Sequence, residues 1–193
     1  LNLKKSSVDI RDFRFSFDDF VYNRLKPFDK VSLQGTFTGF TTDFVADATL
    51  DGRLGWIRSN INLKVNEKNL DRTLYKGGIE TRDFELGTYF NDTTLFQNVT
   101  MRGNISGRGL TYESADFLLV GTIASVGILG YDYVNITSNA RFARQFFAGA
   151  LKIDDPNLRF NAAGSIDFRS DRDLVQVTAN LDTALIHKLG FIK

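Results

Sequence analysis

The sequence predicts an all-β protein: one elongated, strongly curved antiparallel sheet with a single apolar face. Three observations predict it. A seven-residue pattern, apolar-x-apolar-x-Gly-x-apolar, recurs along the chain. Strand-like segments follow one another with no helical pattern between them, which argues for antiparallel neighbours. Only 2 prolines occur in 193 residues, as long uninterrupted strands require.

The pattern reads Val31-Leu33-Gly35-Phe37, Ala48-Leu50-Gly52-Leu54 and Val99-Met101-Gly103-Ile105. It returns as Phe117-Leu119-Gly121-Ile123 and Phe160-Ala162-Gly164-Ile166. A period of two puts these groups on one face of each strand. Every copy sets a glycine on that face, where a packed core would prefer a side chain. Two readings stay open: the glycines let the sheet curl, or they also leave room for a ligand against the backbone.

The elements follow in chain order. Val8 to Phe17 alternates with a phase change at Arg11-Asp12, which predicts a strand with a bulge or bend. Residues 18–28 predict a short helix or wide turn, capped by Asp18 or Asp19 and stopped at Pro27. Strands are predicted at Val31–Phe37 and Phe44–Leu50, joined by Thr41-Thr42-Asp43. Asp51-Gly52 is either a tight turn or the strand's continuation. Ile57 to Val65 alternates almost without fault, and Asn66 to Asp71 reads as an exposed loop. Further strands are predicted near Leu74–Thr81, Val99–Ile105, Phe117–Val126, Tyr133–Phe142, Phe146–Ile153, Leu158–Phe168 and Leu174–Leu181. The tail from Thr183 predicts a last helical turn. Residues 31–39 and 99–107 match in residue class 68 positions apart, which suggests a repeated multi-strand unit. Nothing marks a linker, so residues 1–193 form one module. The chain opens inside a strand-like pattern without an initiator Met, as expected of a segment of a longer protein.

Composition narrows the function classes. Hydrophobic residues make up 42% and charged residues 24%, as in an ordered protein. With 24 basic and 23 acidic residues the net charge is +1, so nothing favours nucleic acid. No cysteine occurs, which excludes disulfides and thiolate metal sites. His187, the 1 histidine, lies near the chain end with no partners for a triad or metal set. Asp154-Asp155-Pro156-Asn157 signals a turn more than a carboxylate pair. Gly77-Gly78 and Gly107-Arg108-Gly109 lack the strand–loop–helix setting of a phosphate loop. Four Asn-x-Ser/Thr sequons, at Asn91, Asn98, Asn104 and Asn135, arise easily in Asn/Thr-rich strands. The expectation is a non-enzymatic protein with no cofactor, no catalytic residues and no metal. The 18 Phe against 1 Trp and 6 Tyr suit either core packing or a groove that contacts lipid.

Several segments resemble the TamB translocation and assembly module family and its AsmA-like relatives. They are Ile79 to Gly87, Val99 to Leu110, Gly130 to Thr137, Leu151 to Leu158 and Phe160 to Phe168, and their order along the chain carries the likeness. The resemblance implies a β-taco, a long open trough of antiparallel strands with an apolar interior and at most one or two short helices. It implies a periplasmic location within an inner-membrane-anchored protein that reaches a BamA- or TamA-like outer-membrane partner. Two functions come with it: phospholipid transport between the inner and outer membranes, and scaffolding of outer-membrane β-barrel assembly. A closed β-sandwich that binds ligands at its loops is the alternative from another class.

The expected groove lining, in contact with phospholipid acyl chains, is Val31, Leu33, Phe37, Leu50, Ile61, Leu63, Val99 and Met101, then Ile105, Phe117, Leu119, Ile123, Phe147, Leu151, Phe160 and Ile166. The expected curvature glycines are Gly35, Gly52, Gly103, Gly121 and Gly164.

Overall fold

The computed structural model describes residues 1–15, 22–23, 25–66, 68–169 and 173–190. The strands are β1 (Asn2–Asp9), β2 (Lys30–Phe40), β3 (Asp43–Gly52), β4 (Gly55–Lys64), β5 (Leu74–Glu85) and β6 (Phe96–Arg108). They continue as β7 (Asp116–Ile128), β8 (Tyr131–Ala143), β9 (Phe146–Asp155), β10 (Leu158–Asp167) and β11 (Leu174–Ala184). All 11 lie in one antiparallel sheet, in strict chain order. Each strand pairs with the next in sequence, so no connection crosses the sheet. The sheet does not close on itself, and β1 and β11 are its edges. The closed sandwich or barrel expected as the alternative is therefore not formed.

Local chemistry explains where the elements differ from expectation. The first strand ends at Asp9, not beyond it. The Asp9 carboxylate accepts the Arg11 backbone N–H at 3.0 Å and caps a 3-10 turn, Ile10–Phe13. The phase change at Arg11-Asp12 marks that turn, not a bulge. Of the helix or turn expected at 18–28, residues 22, 23 and 25 are helical and Lys26–Phe28 continue as a 3-10 turn that contains Pro27. Residues 18–21 and 24 of that segment lie outside the described residues. Gly52 continues β3, and the turn falls at Arg53-Leu54.

Helix α1 (Leu86–Phe90) forms where no helical pattern marks the chain. Its Gly and Thr are poor helix formers. Tertiary contacts hold it: Leu86 and Tyr89 pack on the core, and Asn91 ends it in the left-handed conformation. The tail forms a 3-10 turn, Ile186–Lys188.

The connections β3–β4, β5–β6, β7–β8 and β9–β10 share one end of the sheet, called the lower end here. The main core cluster sits there. It joins Leu54, Phe84, Val99, Val126, Tyr133, Ile136 and Leu189. Segments from outside the sheet complete it from both sides. Phe28, preceding β2, lies 6.3 Å ring to ring from Phe84 and 6.1 Å from Tyr89. Leu189, following β11, is 2% exposed, and its carbonyl accepts the Tyr133 hydroxyl at 2.9 Å.

The upper end is held by charge. Asp116 on β7 receives Arg141 of β8 at 2.6 and 2.7 Å, and Arg108 of β6 lies at 3.5 Å. The Arg141 guanidinium holds the Asp116 carboxyl below its ordinary range. A native pKa below the unfolded value contributes stability above the unfolded value of about 4, and that stability is lost as pH falls through the native value. Asp116→Asn is therefore expected to lower the melting temperature at pH 7. The gap to the parent should close progressively below about pH 4, as thermal melts at stepped pH would record.

Candidate functional site: the apolar face

Register places every expected lining residue on one face. Across that face the side chains form rows running from strand to strand. One row holds large apolar groups except at Thr81, between Ile57 and Met101. Leu33 faces Leu50, Leu50 faces Ile57, and the row reaches Met101, Ile123 and Ile136. It ends with Ile153 opposite Phe160 and Phe160 opposite Leu181.

The next row is built of small residues. Gly35 faces Ala48, which faces Ser59. Gly103 faces Gly121, which faces Ser138, and Ala162 faces Ala179. Only Ile79 and Leu151 in this row are large. Above it, Phe37, Ile61, Ile105 and Leu119 alternate with further small residues: Ala46, Gly77, Ala140, and Gly149 opposite Gly164.

The uppermost row is aromatic. Phe44 faces Leu63, and Phe117, Phe142 and Phe147 follow one another with ring centroids 5.7 and 5.6 Å apart, leading to Ile166. Tyr75 shares this row. Burial pushes its hydroxyl up to about 12, and that hydroxyl donates to the Arg108 carbonyl at 3.3 Å. It is neutral at any physiological pH.

The glycines on this face are not gaps. A Cβ on Gly35 would come within 2.4 Å of the Asp47 carbonyl oxygen, and one on Gly164 within 2.0 Å of the Gln176 oxygen. On Gly103 and Gly121 it would meet the Val120 and Arg102 oxygens at 2.6 and 2.4 Å. At Gly52 the neighbour is a side-chain carbon of Val31, at 2.9 Å. The volume a side chain would fill already belongs to the next strand. The crowding of the neighbouring strand is by itself a reason for glycine at these positions. What the glycines permit is close strand approach on this face. Register shifts between Thr81 and Phe84, and between Phe96 and Val99, add bulges on β5 and β6. Asp83 and Asn135 take positive φ, +48° and +55°.

The face is not uniformly free. Val99 belongs to the lower core, and Met101, Ile123 and Leu151 pack against it. Val31 and Leu119 are also buried. Leu33, Phe37, Leu50, Ile61, Leu63, Ile105, Phe117, Phe147, Phe160 and Ile166 are half-buried. Phe28, Phe84, Tyr133 and Leu189 escaped sequence reasoning as core residues. Phe28 and Leu189 lie outside any periodic run, and Phe84 follows the bulge that breaks the alternation of β5.

The opposite face is mostly polar and exposed, and it also carries the exposed Val45, Leu118 and Val120. It carries cross-strand pairs such as Asn62 to Asp43 at 3.0 Å and Asn60 to Asp47 at 3.2 Å. Trp56 lies there under Arg82, whose guanidinium carbon is 4.2 Å from the ring centre. The Asp154-Asp155 turn forms as expected, but Asp155 is 1% exposed and ties β8 to β9. Its carboxylate accepts the Tyr131 hydroxyl at 2.6 Å, the Val134 N–H at 3.0 Å and the Asn157 N–H at 2.8 Å. Every oxygen of that group is engaged in structure. His187 is exposed on the final 3-10 turn. Among the described residues no group of three or more His, Asp or Glu side chains could hold a metal ion, and no helix is long and apolar enough to cross a membrane.

No protein-family model matches the chain, and neither does any curated protein or solved structure.

Proposed function

We propose that this chain is a non-enzymatic segment of a TamB-like periplasmic protein, and that its apolar face is a trough for phospholipid acyl chains moving between the inner and outer membranes. One observation carries the reading: apolar side chains recur on one face of every strand from β2 to β11, and the described strands form a single open sheet with no second sheet over that face. The surface area agrees. The chain exposes 12112 Å², where a compact monomer of 21.7 kDa would expose about 9,200 Å².

The row of small residues supports curvature. It lies directly above the row of large aliphatics, and one row of alternating large and small residues separates it from the aromatics, at the level where neighbouring backbones crowd. A sheet that bends along that row turns the two bulky rows toward each other as walls. From β2 to β11 strand spacing makes the row about 43 Å long, enough for acyl chains lying along it. The chains are held by apolar contact alone, so they can slide, while headgroups stay in water at the open side. No step makes or breaks a bond.

Ile61 and Ile105 test this, because both lie above the lower core. Ile61→Glu and Ile105→Glu are each expected to reduce phospholipid bound in native mass spectrometry at least about tenfold, with an unchanged circular dichroism spectrum. Thr36→Glu on the polar face should bind as the parent does. A parent protein that retains no phospholipid under these conditions would refute the trough.

The free edge at β11 favours a second reading within the same family. Strands of nascent outer-membrane barrels would pair there, in concert with a BamA- or TamA-like partner. Crosslinks from β11 to client strands, with none from the apolar face to lipid, would select it.

A further inference from the structure

Two connections from opposite ends of the sheet touch each other. Helix α1 lies in the β5–β6 connection at the lower end, and residues 109–115 join β6 to β7 at the upper end. The Tyr112 ring in that upper loop lies 5.7 Å from Phe96 and 6.2 Å from Phe90, centre to centre. The Tyr89 hydroxyl of α1 donates to the Leu110 carbonyl at 3.4 Å. Between these groups runs β6, 13 residues long, which spans about 40 Å when extended. The chain from Arg108 to Tyr112 adds at most about 14 Å. Each partner is braced on its own side. A Cβ on Gly87 would collide with the Phe96 carbonyl, so α1 sits tight against the start of β6, and Tyr89 packs on the lower core. In the loop the Ser114 N–H donates to the Thr111 hydroxyl at 3.1 Å and the Ala115 N–H to the Thr111 carbonyl at 2.8 Å. That turn presents Tyr112 at its tip, 38% exposed.

We propose, resting on the trough reading above, that α1 and the 109–115 loop form an aromatic clasp across the trough, a gate that an acyl chain parts as it passes from the strands before β5 to those after β6. A straight β6 would hold Phe96 and Tyr112 far apart, so the strand arches over its apolar face and brings its two ends together. No other hydrogen bond or ring contact joins the two ends of the sheet among the described residues. Ile79 and Ile105, on the strands the clasp crosses, stay half-buried, so it does not seal them. The line along which it opens runs between Tyr112 and the rings of Phe90 and Phe96. Those contacts are apolar, and an acyl chain replaces them in kind: surface parted between rings is covered again by the chain. The loop is the moving half, because α1 is fixed by the core beneath it.

The chain has no cysteine, so Phe90→Cys combined with Tyr112→Cys supplies a unique thiol pair that a short bismaleimide can join. Bound phospholipid is then exchanged against acyl-labelled fluorescent phosphatidylethanolamine in vesicles of phosphatidylethanolamine and phosphatidylglycerol. The unlinked double variant lacks both rings and is expected to exchange faster than the parent. Linking the thiols is expected to slow exchange at least about tenfold relative to the unlinked form. Equal rates with and without the link would overturn the gate while leaving the trough in place. A parent that binds no phospholipid at all would refute the trough, and the gate with it. Should the double variant fail to fold, Tyr112→Ala on the exposed turn carries the same test. It is expected to exchange at least about fivefold faster than the parent, and an unchanged rate would overturn the proposal.

Discussion

Gly77→Ala is expected to destabilise the protein by about 2–4 kcal/mol, whereas Gly78→Ala, one residue on, should be neutral or stabilise by up to about 1 kcal/mol. The two glycines point to opposite faces of β5. A Cβ on Gly77 would lie 2.0 Å from the Asn60 carbonyl oxygen and 2.8 Å from the Ile61 Cα. Both are backbone atoms of β4, so no rotamer change relieves the clash. Strands β4 and β5 would have to separate where nine residue pairs hold them together. A Cβ on Gly78 meets only the Asn104 side-chain oxygen at 3.9 Å, an ordinary contact. There the methyl group only narrows the unfolded ensemble. Urea denaturation of both variants decides the matter. Equal midpoints would show that the apolar face is not crowded, and the argument that its glycines exist for close strand approach would fall with it.

Asp155→Ala should cost about 3–5 kcal/mol, with Asp155→Asn intermediate. Three donors converge on this carboxylate from Tyr131, Val134 and Asn157. Alanine leaves the Val134 and Asn157 N–H groups and the Tyr131 hydroxyl without their acceptor. Asparagine keeps one oxygen acceptor but turns an amide N–H₂ toward donors. The Tyr131 hydroxyl also accepts from the Asn157 side chain at 2.8 Å, so the turn and the start of β8 are coupled. Burial, with the Asp155 hydrogen bond next, pushes the Tyr131 hydroxyl pKa up and keeps it a donor. Tyr131→Phe removes one of these bonds and should cost about 1–2 kcal/mol. In a double-mutant cycle Tyr131→Phe and Asp155→Ala should be non-additive. Additive losses would mean that the network does not act as a unit.

Much of the fold was legible in the chain. Period-two alternation located the strands, because a sheet with one polar and one apolar face writes its geometry into every second residue. Phe44, Leu50, Ile61 and Leu63 fall where that pattern put them. The pattern failed where the backbone leaves the period. At Asp83 a bulge moves Phe84 onto the core face, and at Asp9 the chain turns while apolar residues continue. Helix α1 carries no sequence signal because its five residues are held by contacts with distant strands, not by their own propensity.

The candidate site was legible by strand but not by row. Alternation shows that Gly35, Gly103 and Gly121 share a face. It cannot show that Gly103 lies opposite Gly121, or that both align with Ala48 and Ala162, because register depends on turn geometry and on bulges elsewhere in the chain. The sequence by itself determined that this protein is all-β, antiparallel and apolar on one face, since local periodicity and turn chemistry suffice for that. The tertiary structure decided that the sheet stays open at both edges, that Phe28 and Leu189 close the lower core, and that the glycines stand against neighbouring backbone instead of empty space. These outcomes depend on how distant strands approach one another, and no local run of residues encodes that distance.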